Sequence, residues 1–232
     1  MDGWVGPATW TALENHLPIV GPGDISGAYQ DWLATPVADR RDFDLDSPDK
    51  RIQGAAVGED GTYFRYRATQ NHREDRGTYH FSRYHWVRLF YIRQTGDGWD
   101  PIFPVAELDL LKAEAYIRVG QPDQAVPLIN KTRVAQGGLP PATVDGVQGQ
   151  ADCVPKMILD SSGACADLMN TLMYEKRIEN YALAAGVSFW DARGWGILPS
   201  GTVLHLPIPA RELETLQIPI YTFGGGGEGS AQ

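Results

Sequence analysis

Apolar residues recur most regularly between residues 104 and 135, where they predict two helices. In the first, a spacing of three and four residues indicates one buried face. That face comprises Val105, Leu108, Leu111, Ala115, Tyr116 and Val119. Gly120 suits the C-terminus of this helix, and Pro122 suits the first turn of a second helix with Ala125 and Ile129 on its apolar face. The two helices should pack as an antiparallel hairpin, the architecture of one tetratricopeptide-like unit.

Other elements follow from the same reading of the pattern. A third helix is predicted from about 166 to 184, followed by a short fourth helix that ends at Gly194 and a helical turn around Glu212. The apolar face of the third helix contains Leu168, Leu172, Ile178 and Tyr181. Aromatic and β-branched residues alternate in 63–67 and 84–91, which predicts short strands or extended segments. The pattern as a whole predicts a mainly α fold with irregular aromatic-rich loops and short strands.

These elements divide the chain into three parts. Residues 1–103 are predicted to form an irregular, aromatic-rich part, where ligand-binding residues are expected for the reasons given below, and residues 104–223 a helical region. Residues 224–232 are rich in Gly and read as a flexible tail. Within the first part we expect a short amphipathic helix near residue 10 and a polar connector at 40–46.

The balance of charges narrows the classes of partner. The net charge is -9 and the pI is about 5.0, which argues against nucleic-acid binding and against adsorption to an anionic lipid surface. No stretch approaches the roughly 18 apolar residues that a membrane-spanning helix needs. The start at Met1 has no signal-peptide pattern, so we expect either a cytosolic protein or a fragment whose export signal lies upstream.

The two cysteines favour an exported chain. Cys153 and Cys165 lie in one loop-like stretch rich in Gly, Asp and Ser. Two thiols without a nearby histidine cannot complete a zinc site. We favour a local disulfide, which implies an oxidising compartment. The alternative is a pair of unpaired, partly buried thiols.

Several charged residues cluster in the predicted third and fourth helices. Glu175 and Glu179 are two carboxylates on one helical face, which could suggest hydrolysis of a glycosidic bond. Arg177 between them is an always-charged donor, so structural ion pairs are the better interpretation. Asp191 and Arg193 are expected to orient the fourth helix in the same way. The sequence predicts no catalytic residue and no cofactor.

Histidines and aromatic residues are concentrated before residue 104. His72, His80 and His85 match no zinc spacing, so we expect no metal site. Aromatic rings beside hydrogen-bonding side chains could instead bind sugars. The candidates are Tyr79, Arg83, Tyr84, Trp86 and Trp99. Trp99 follows a Gly-Asp-Gly turn and is the better candidate for a stacking platform, whereas Trp86 alternates with apolar residues and could equally be core.

Four stretches, in a fixed order, resemble the carboxy-terminal region of SusD/RagB-like proteins. Glu107–Tyr116 is similar to the family's "AE…L..AEA" helix, and Ala125–Arg133 to its "A...IN..R" helix. Tyr174–Glu179 and Phe189–Trp195 resemble "ERR.E" and "FFDLRRW". Leu206–Glu212 is similar to the "PIP..E" segment near the end of the family's sequences.

The resemblance covers about 104 to 223, roughly half of the chain. It implies a mostly helical, non-enzymatic lipoprotein at the outer-membrane surface, with tetratricopeptide-like helix pairs. Such a protein binds an oligosaccharide or another nutrient and passes it to a SusC-like, TonB-dependent transporter. The family's lipoprotein signal and anchoring cysteine are not found before Met1, so the anchor is not expected in the chain as given.

Two other functions remain open. A tetratricopeptide-type interaction scaffold should show further copies of the 104–135 pattern, and none is convincing. A glycoside hydrolase, the least favoured of the three, should place two carboxylates on facing elements of one cleft.

Overall fold

The computed structural model describes residues 46–68, 83–98, 101, 103–149, 153–157, 164–181, 183, 187–197 and 210–217. The predictions of a helix near residue 10 and of a flexible tail lie outside these residues, as does the predicted connector at 40–46 except for its last residue.

The described chain is mainly helical, as predicted. Its elements in order are β1 (Phe64–Tyr66), β2 (Tyr84–Trp86), α1 (Phe90–Thr95), α2 (Val105–Arg118), α3 (Pro122–Ala135), α4 (Leu168–Asn180), α5 (Val187–Gly194) and α6 (Ala210–Thr215). Within the described ranges, every helix is too short or too polar to cross a bilayer.

The second predicted strand is shorter than expected. β1 and β2 pair antiparallel, with Arg65 opposite His85. Each strand contains only three residues, and among the described residues the pairing beyond β2 continues only with the N–H of Val87, which donates to the carbonyl of Tyr63 at 2.8 Å. Residues 90 to 95 form α1 instead. Gly96 ends that helix with a left-handed backbone (φ 66°), and its N–H donates to the carbonyl of Ile92 at 2.8 Å.

α2 and α3 are joined by the predicted tight turn and pack against each other. Gly120 has φ 73°, the left-handed conformation that favours glycine at a helix end. The N–H of Gln121 donates to the carbonyl of Tyr116 at 2.8 Å, and Pro122 occupies the first turn of α3. Gly120 and Pro122 therefore predicted correctly where α2 ends and where α3 begins.

The buried face of α2 differs from the predicted one. Its buried residues are Glu107, Leu110 and Ala113. The predicted face is largely exposed, with its large apolar residues at the surface: Val105, Leu108, Leu111 and Val119. The spacing from Leu110 to Ala113 also fits a helical face, so periodicity alone could not decide which of the two faces of α2 is buried. The choice is made by packing, because the small Ala113 and Ala125 lie in the same core and allow α2 and α3 to approach closely.

α4 contributes to two hydrophobic cores. The helical core contains Leu110, Ala113, Ala125, Ile129, Ala142, Leu168 and Leu172. The aromatic core contains Ile52, Tyr63, Tyr84, Leu139, Val154, Tyr174 and Ile178. Ten of the thirteen residues of α4 are therefore buried, although seven of the thirteen are polar or charged. Tyr181 was predicted to share this buried position, but it follows the last helical residue and is exposed.

The predicted disulfide between Cys153 and Cys165 is confirmed. Their Cα atoms are 5.8 Å apart, within the range that a disulfide spans. The bond closes the segment that leads into α4. Asp167 then caps α4, because its side chain accepts the N–H of Asn170 at 2.7 Å.

The two faces of α2 give a first prediction. Leu110 is 1% exposed and Leu108 is 54% exposed. We expect Leu110→Ala to lower the free energy of unfolding by about 2–5 kcal/mol, because it opens a cavity in the helical core. Leu108→Ala, the matched control on the same helix, should change it by less than about 0.5 kcal/mol. Urea denaturation followed by circular dichroism measures both. Equal losses would contradict the assignment of the buried face.

Candidate functional site

Arg51 lies at the centre of a buried set of charged groups, here called the central ion network. Its Nη1 donates to Glu175 and, at 3.0 Å, to Glu179. Its Nη2 donates to Asp49 at 2.6 Å. All four side chains are 0% exposed. The network therefore joins the segment before β1 to α4, across 124 residues of sequence between Arg51 and Glu175.

Arg133 on α3 also belongs to this network. Its Nη1 donates to Glu175 at 3.2 Å, while Nε donates to the carbonyl of Pro140 at 2.7 Å and Nη2 to that of Val154 at 2.6 Å. Burial raises the pKa of Glu175, and the positive charges of Arg51 and Arg133 partly oppose that shift. The two guanidinium groups thus limit the cost of placing this carboxylate in the interior.

Two tyrosines complete the hydrogen bonding of the carboxylates. The hydroxyl of Tyr63 donates to Glu179 at 3.0 Å, and that of Tyr174 donates to Asp49 at 2.7 Å. Burial raises the pKa of both phenols, and the neighbouring carboxylates add to the shift. Both tyrosines therefore remain protonated and act as neutral donors.

Arg88 adds a third guanidinium at the edge of the central ion network. It donates to the backbone carbonyl of Glu179 at 2.8 Å and lies 3.2 Å from the carboxylate of the same residue. Its guanidinium carbon is 4.1 Å from the ring centroid of Tyr63, in cation–π contact. Among the described residues, the central ion network thus contains three carboxylates and three guanidinium groups. The carboxylates belong to Asp49, Glu175 and Glu179, and the guanidinium groups to Arg51, Arg88 and Arg133. The ionised groups therefore balance in charge.

Gly137 allows the segment before β1 to approach the end of α3. The N–H of Lys50 donates to the carbonyl of Gly137 at 2.8 Å. A Cβ atom on Gly137 would lie 2.6 Å from the carbonyl oxygen of Arg133 and 3.1 Å from Nη2 of Arg51. A larger residue would displace backbone or a network member, so glycine is required by this close approach.

The stretch that resembles "A...IN..R" has a structural role at each of its marked positions. Ile129 is fully buried in the helical core. The side chain of Asn130 accepts the N–H of Ala142 at 2.8 Å and donates to the carbonyl of the same residue at 2.9 Å. With Arg133 one turn later, α3 holds both the loop that follows it and the central ion network.

A second set of charges, the peripheral ion network, connects α2, α4 and α5. Lys176 is buried, and its Nζ donates to Glu114 at 3.1 Å and to Asp191 at 2.7 Å. Trp195 Nε1 and Arg118 Nη2 also donate to Glu114, at 2.9 and 2.7 Å. Burial alone raises the pKa of Glu114, but the hydrogen bonds from Arg118 and Trp195 and the charge of Lys176 outweigh it, and the pKa is lowered.

The predicted ion-pair residues have different outcomes. Glu175, Glu179 and Asp191 all form ion pairs. Arg177 does not supply the partner cation: its Nε and Nη1 are buried and have no hydrogen-bond partner among the described residues. Burial lowers the pKa of Arg177 to about 10, and the charge of Asp191 only partly opposes this. Arg193 places its guanidinium 5.8 Å from the centroid of a neighbouring tryptophan ring.

The predicted sugar-binding residues are only partly described. Tyr79 and Trp99 lie outside the described residues. Tyr84 is buried in the aromatic core, and its hydroxyl accepts a backbone N–H at 2.9 Å, so its ring offers no face for stacking. Arg83, which precedes Tyr84, and Trp86, which lies two residues after it, are both partly buried. For the candidates other than Tyr84, a role in ligand binding stays a prediction.

The histidines give no support for a metal centre. His72 and His80 lie outside the described residues, and His85 lies in β2. In the part of the chain that the structure describes, no three His, Cys, Asp or Glu side chains converge as metal ligands would.

The buried carboxylates are unsuited to act on a substrate. Glu175 and Glu179 are 0% exposed and accept hydrogen bonds from arginine side chains. They also belong to the same helix rather than to facing walls of a cleft. A glycosidase pair needs a sugar between its two carboxyl groups, so these two residues serve the scaffold.

The sequence analysis missed several members of the two networks. Asp49 and Arg51 stand in a polar stretch without periodicity, and no local signal marks them as buried. Glu114 and Lys176 lie within the stretches that resemble the SusD/RagB-like family. Both residues are charged, and both lie on predicted helices within stretches that resemble the family's motifs. That combination could have identified them as structural residues.

A search of protein-family models, of curated proteins and of solved structures finds no match to this chain. The resemblance to SusD/RagB-like proteins therefore stays a prediction that depends on the quoted stretches.

Two buried arginines provide a matched test of the ion networks. Arg133→Met removes a cation that contacts a fully buried carboxylate, so we expect it to lower the free energy of unfolding by about 3–5 kcal/mol. Arg177→Met removes a buried charge whose Nε and Nη1 lack partners, so we expect a loss of less than about 1 kcal/mol, or a gain. Guanidinium denaturation compares the two. A larger loss for Arg177→Met would contradict the assigned partners.

Proposed function

We propose that this chain is the carboxy-terminal portion of a SusD/RagB-like nutrient-binding protein. It binds an oligosaccharide or another nutrient at the outer-membrane surface, as part of a lipoprotein, and delivers it to a TonB-dependent transporter. It carries out no catalysis and uses no cofactor.

The observation that carries this proposal is the common packing of the family-like stretches. Glu114 comes from the first stretch, Arg133 from the second, and Glu175 and Lys176 from the third. These four residues are joined through two buried ion networks that share α4. If the chain shares the family's fold, the charged residues of the family-like stretches should contact one another in the structure. The contacts among these four residues therefore support the proposed common fold.

The proposal also includes the tetratricopeptide-like pairing of the helices. α2 and α3 form a tetratricopeptide-like helical hairpin, supported by their tight turn at Gly120 and by the small residues Ala113 and Ala125 at their contact. α4 packs against both helices and extends this unit.

The absence of catalysis is supported by how the charged residues are used. The carboxylates of the central ion network are fully buried and hydrogen-bonded to arginine and tyrosine. A general acid or nucleophile must reach the substrate, and these groups cannot. A binding role needs only a surface, which the scaffold leaves free.

A tetratricopeptide-type interaction scaffold is the second candidate. The exposed stripe of Val105, Leu108, Leu111 and Val119 on α2 favours it, because a contiguous apolar helix face suits a protein partner. A glycoside hydrolase has less support, since Glu175 and Glu179 are inaccessible.

The proposal predicts binding without turnover. The full chain is titrated with starch, xylan, inulin and mucin glycans in a calorimeter, and the same mixtures are assayed for new reducing ends. We expect saturable binding to at least one glycan and no release of reducing ends. Serum albumin in the same titrations controls for non-specific heat.

Two outcomes would contradict the proposed function. Release of reducing ends by the purified chain would favour a hydrolase. Failure to bind any of the four glycans, by a chain whose circular dichroism shows the expected helix content, would contradict oligosaccharide binding and would favour the interaction scaffold.

A further inference from the structure

Trp190 on α5 is a large aromatic residue with 57% of its surface exposed. Tryptophan side chains are usually well buried, because they carry a large apolar area. The ring of Phe189 contacts that of Trp190 edge-on, with centroids 5.0 Å apart and an interplanar angle of 83°. The guanidinium carbon of Arg193 lies 5.8 Å from the same ring centroid. The exposed indole is therefore held by its neighbours.

α5 is fixed to the scaffold on its other side. Ala192 is buried, and the carboxylate of Asp191 accepts a hydrogen bond from the buried Lys176 at 2.7 Å. Just after the helix, Trp195 Nε1 donates to Glu114 at 2.9 Å. A ring presented by a helix that is anchored in this way loses little conformational entropy when a ligand stacks on it.

The surroundings of Trp190 are open and polar. Gly194 lies one helical turn after it, and a Cβ atom added there would meet no atom of the described residues within 4 Å. Ser188, Arg193 and Gly194 are exposed. The face thus combines one flat apolar ring with hydrogen-bonding groups and free space beside it.

This chemistry differs from that of the exposed stripe on α2. The stripe presents four large apolar residues in succession and suits an apolar partner surface, which must bury a contiguous area. A single ring beside polar groups matches a smaller amphipathic ligand. A pyranose ring has that character, because its C–H groups form an apolar face and its hydroxyls project around the edge.

We propose that Trp190 forms an oligosaccharide-binding platform on α5, with its exposed indole stacked against a sugar ring and the side chain of Arg193 supporting the indole from its own helix. This inference rests on the proposed function and adds a site for the ligand within the helical region. It places sugar contact outside the aromatic-rich segment before residue 104.

The test compares variants of the full chain against the same starch, xylan, inulin and mucin glycans. For a glycan that the parent binds, we expect Trp190→Ala to weaken affinity by about tenfold, as the loss of a well-placed aromatic contact would. Trp190→Tyr keeps a stacking ring and should stay within about threefold of the parent. Tyr181→Ala, a matched exposed aromatic residue just after α4, should bind like the parent. Thermal melts of all three variants establish that each is folded.

The possible results separate this inference from the proposed function. A parent that binds no glycan overturns both. A parent that binds, with Trp190→Ala unchanged in affinity, overturns the platform alone. If Trp190→Ala keeps its glycan affinity but loses self-association in a sizing experiment, the face is a protein interface and the platform is again overturned.

Discussion

The structure depends on the pairing of charges that α4 carries into the interior. A carboxylate buried without a partner is unfavourable by several kcal/mol, and breaking a buried pair typically costs about 3–5 kcal/mol. Glu175 and Glu179 are both fully buried, so the guanidinium of Arg51 must reach them. That requirement helps to fix the position of residues 46–63, which contain no helix or named strand and are also held by backbone hydrogen bonds such as Lys50 N–H to the carbonyl of Gly137.

Several other features follow from this constraint. Gly137 is needed where the segment of Arg51 crosses the end of α3, and Arg133 extends from α3 into the same network. Arg133 also holds the carbonyl of Val154, one residue after the disulfide cysteine Cys153. The central ion network thus connects the irregular segments to the helices. It also leaves its own carboxylates inaccessible, so the proposed ligand binding is expected on the outer faces of the helices and in the loops.

The helices from α2 onwards and their ends were predicted well because Gly and Pro act locally, whereas α1 was expected to be an extended segment. Gly120, Pro122 and Gly194 all mark helix boundaries that the structure has. The cysteine pair was also predicted correctly, since its isolation in one loop left few alternatives. Which face of α2 is buried could not be predicted, because Leu108 and Leu110 fit a helical period equally well.

The candidate site was harder to predict than the fold. Glu175 and Glu179 were expected in ion pairs and form them, but the expected cation Arg177 is not their partner. The actual partner, Arg51, is 124 residues from Glu175, and no local pattern encodes a contact over that separation. Tyr84 shows the same limit, since alternation in a strand does not tell whether a ring faces the core or a ligand.

The pairing of Arg51 with Glu175 is expected to stabilise the whole fold. A double-mutant cycle with Arg51→Met and Glu175→Gln measures it directly, with the exposed pair Arg65 and Asp60 as the control cycle. We expect a coupling free energy of about 2–3 kcal/mol for the buried pair and less than about 1 kcal/mol for the exposed pair. Additive effects within about 0.5 kcal/mol for Arg51 and Glu175 would contradict this expectation.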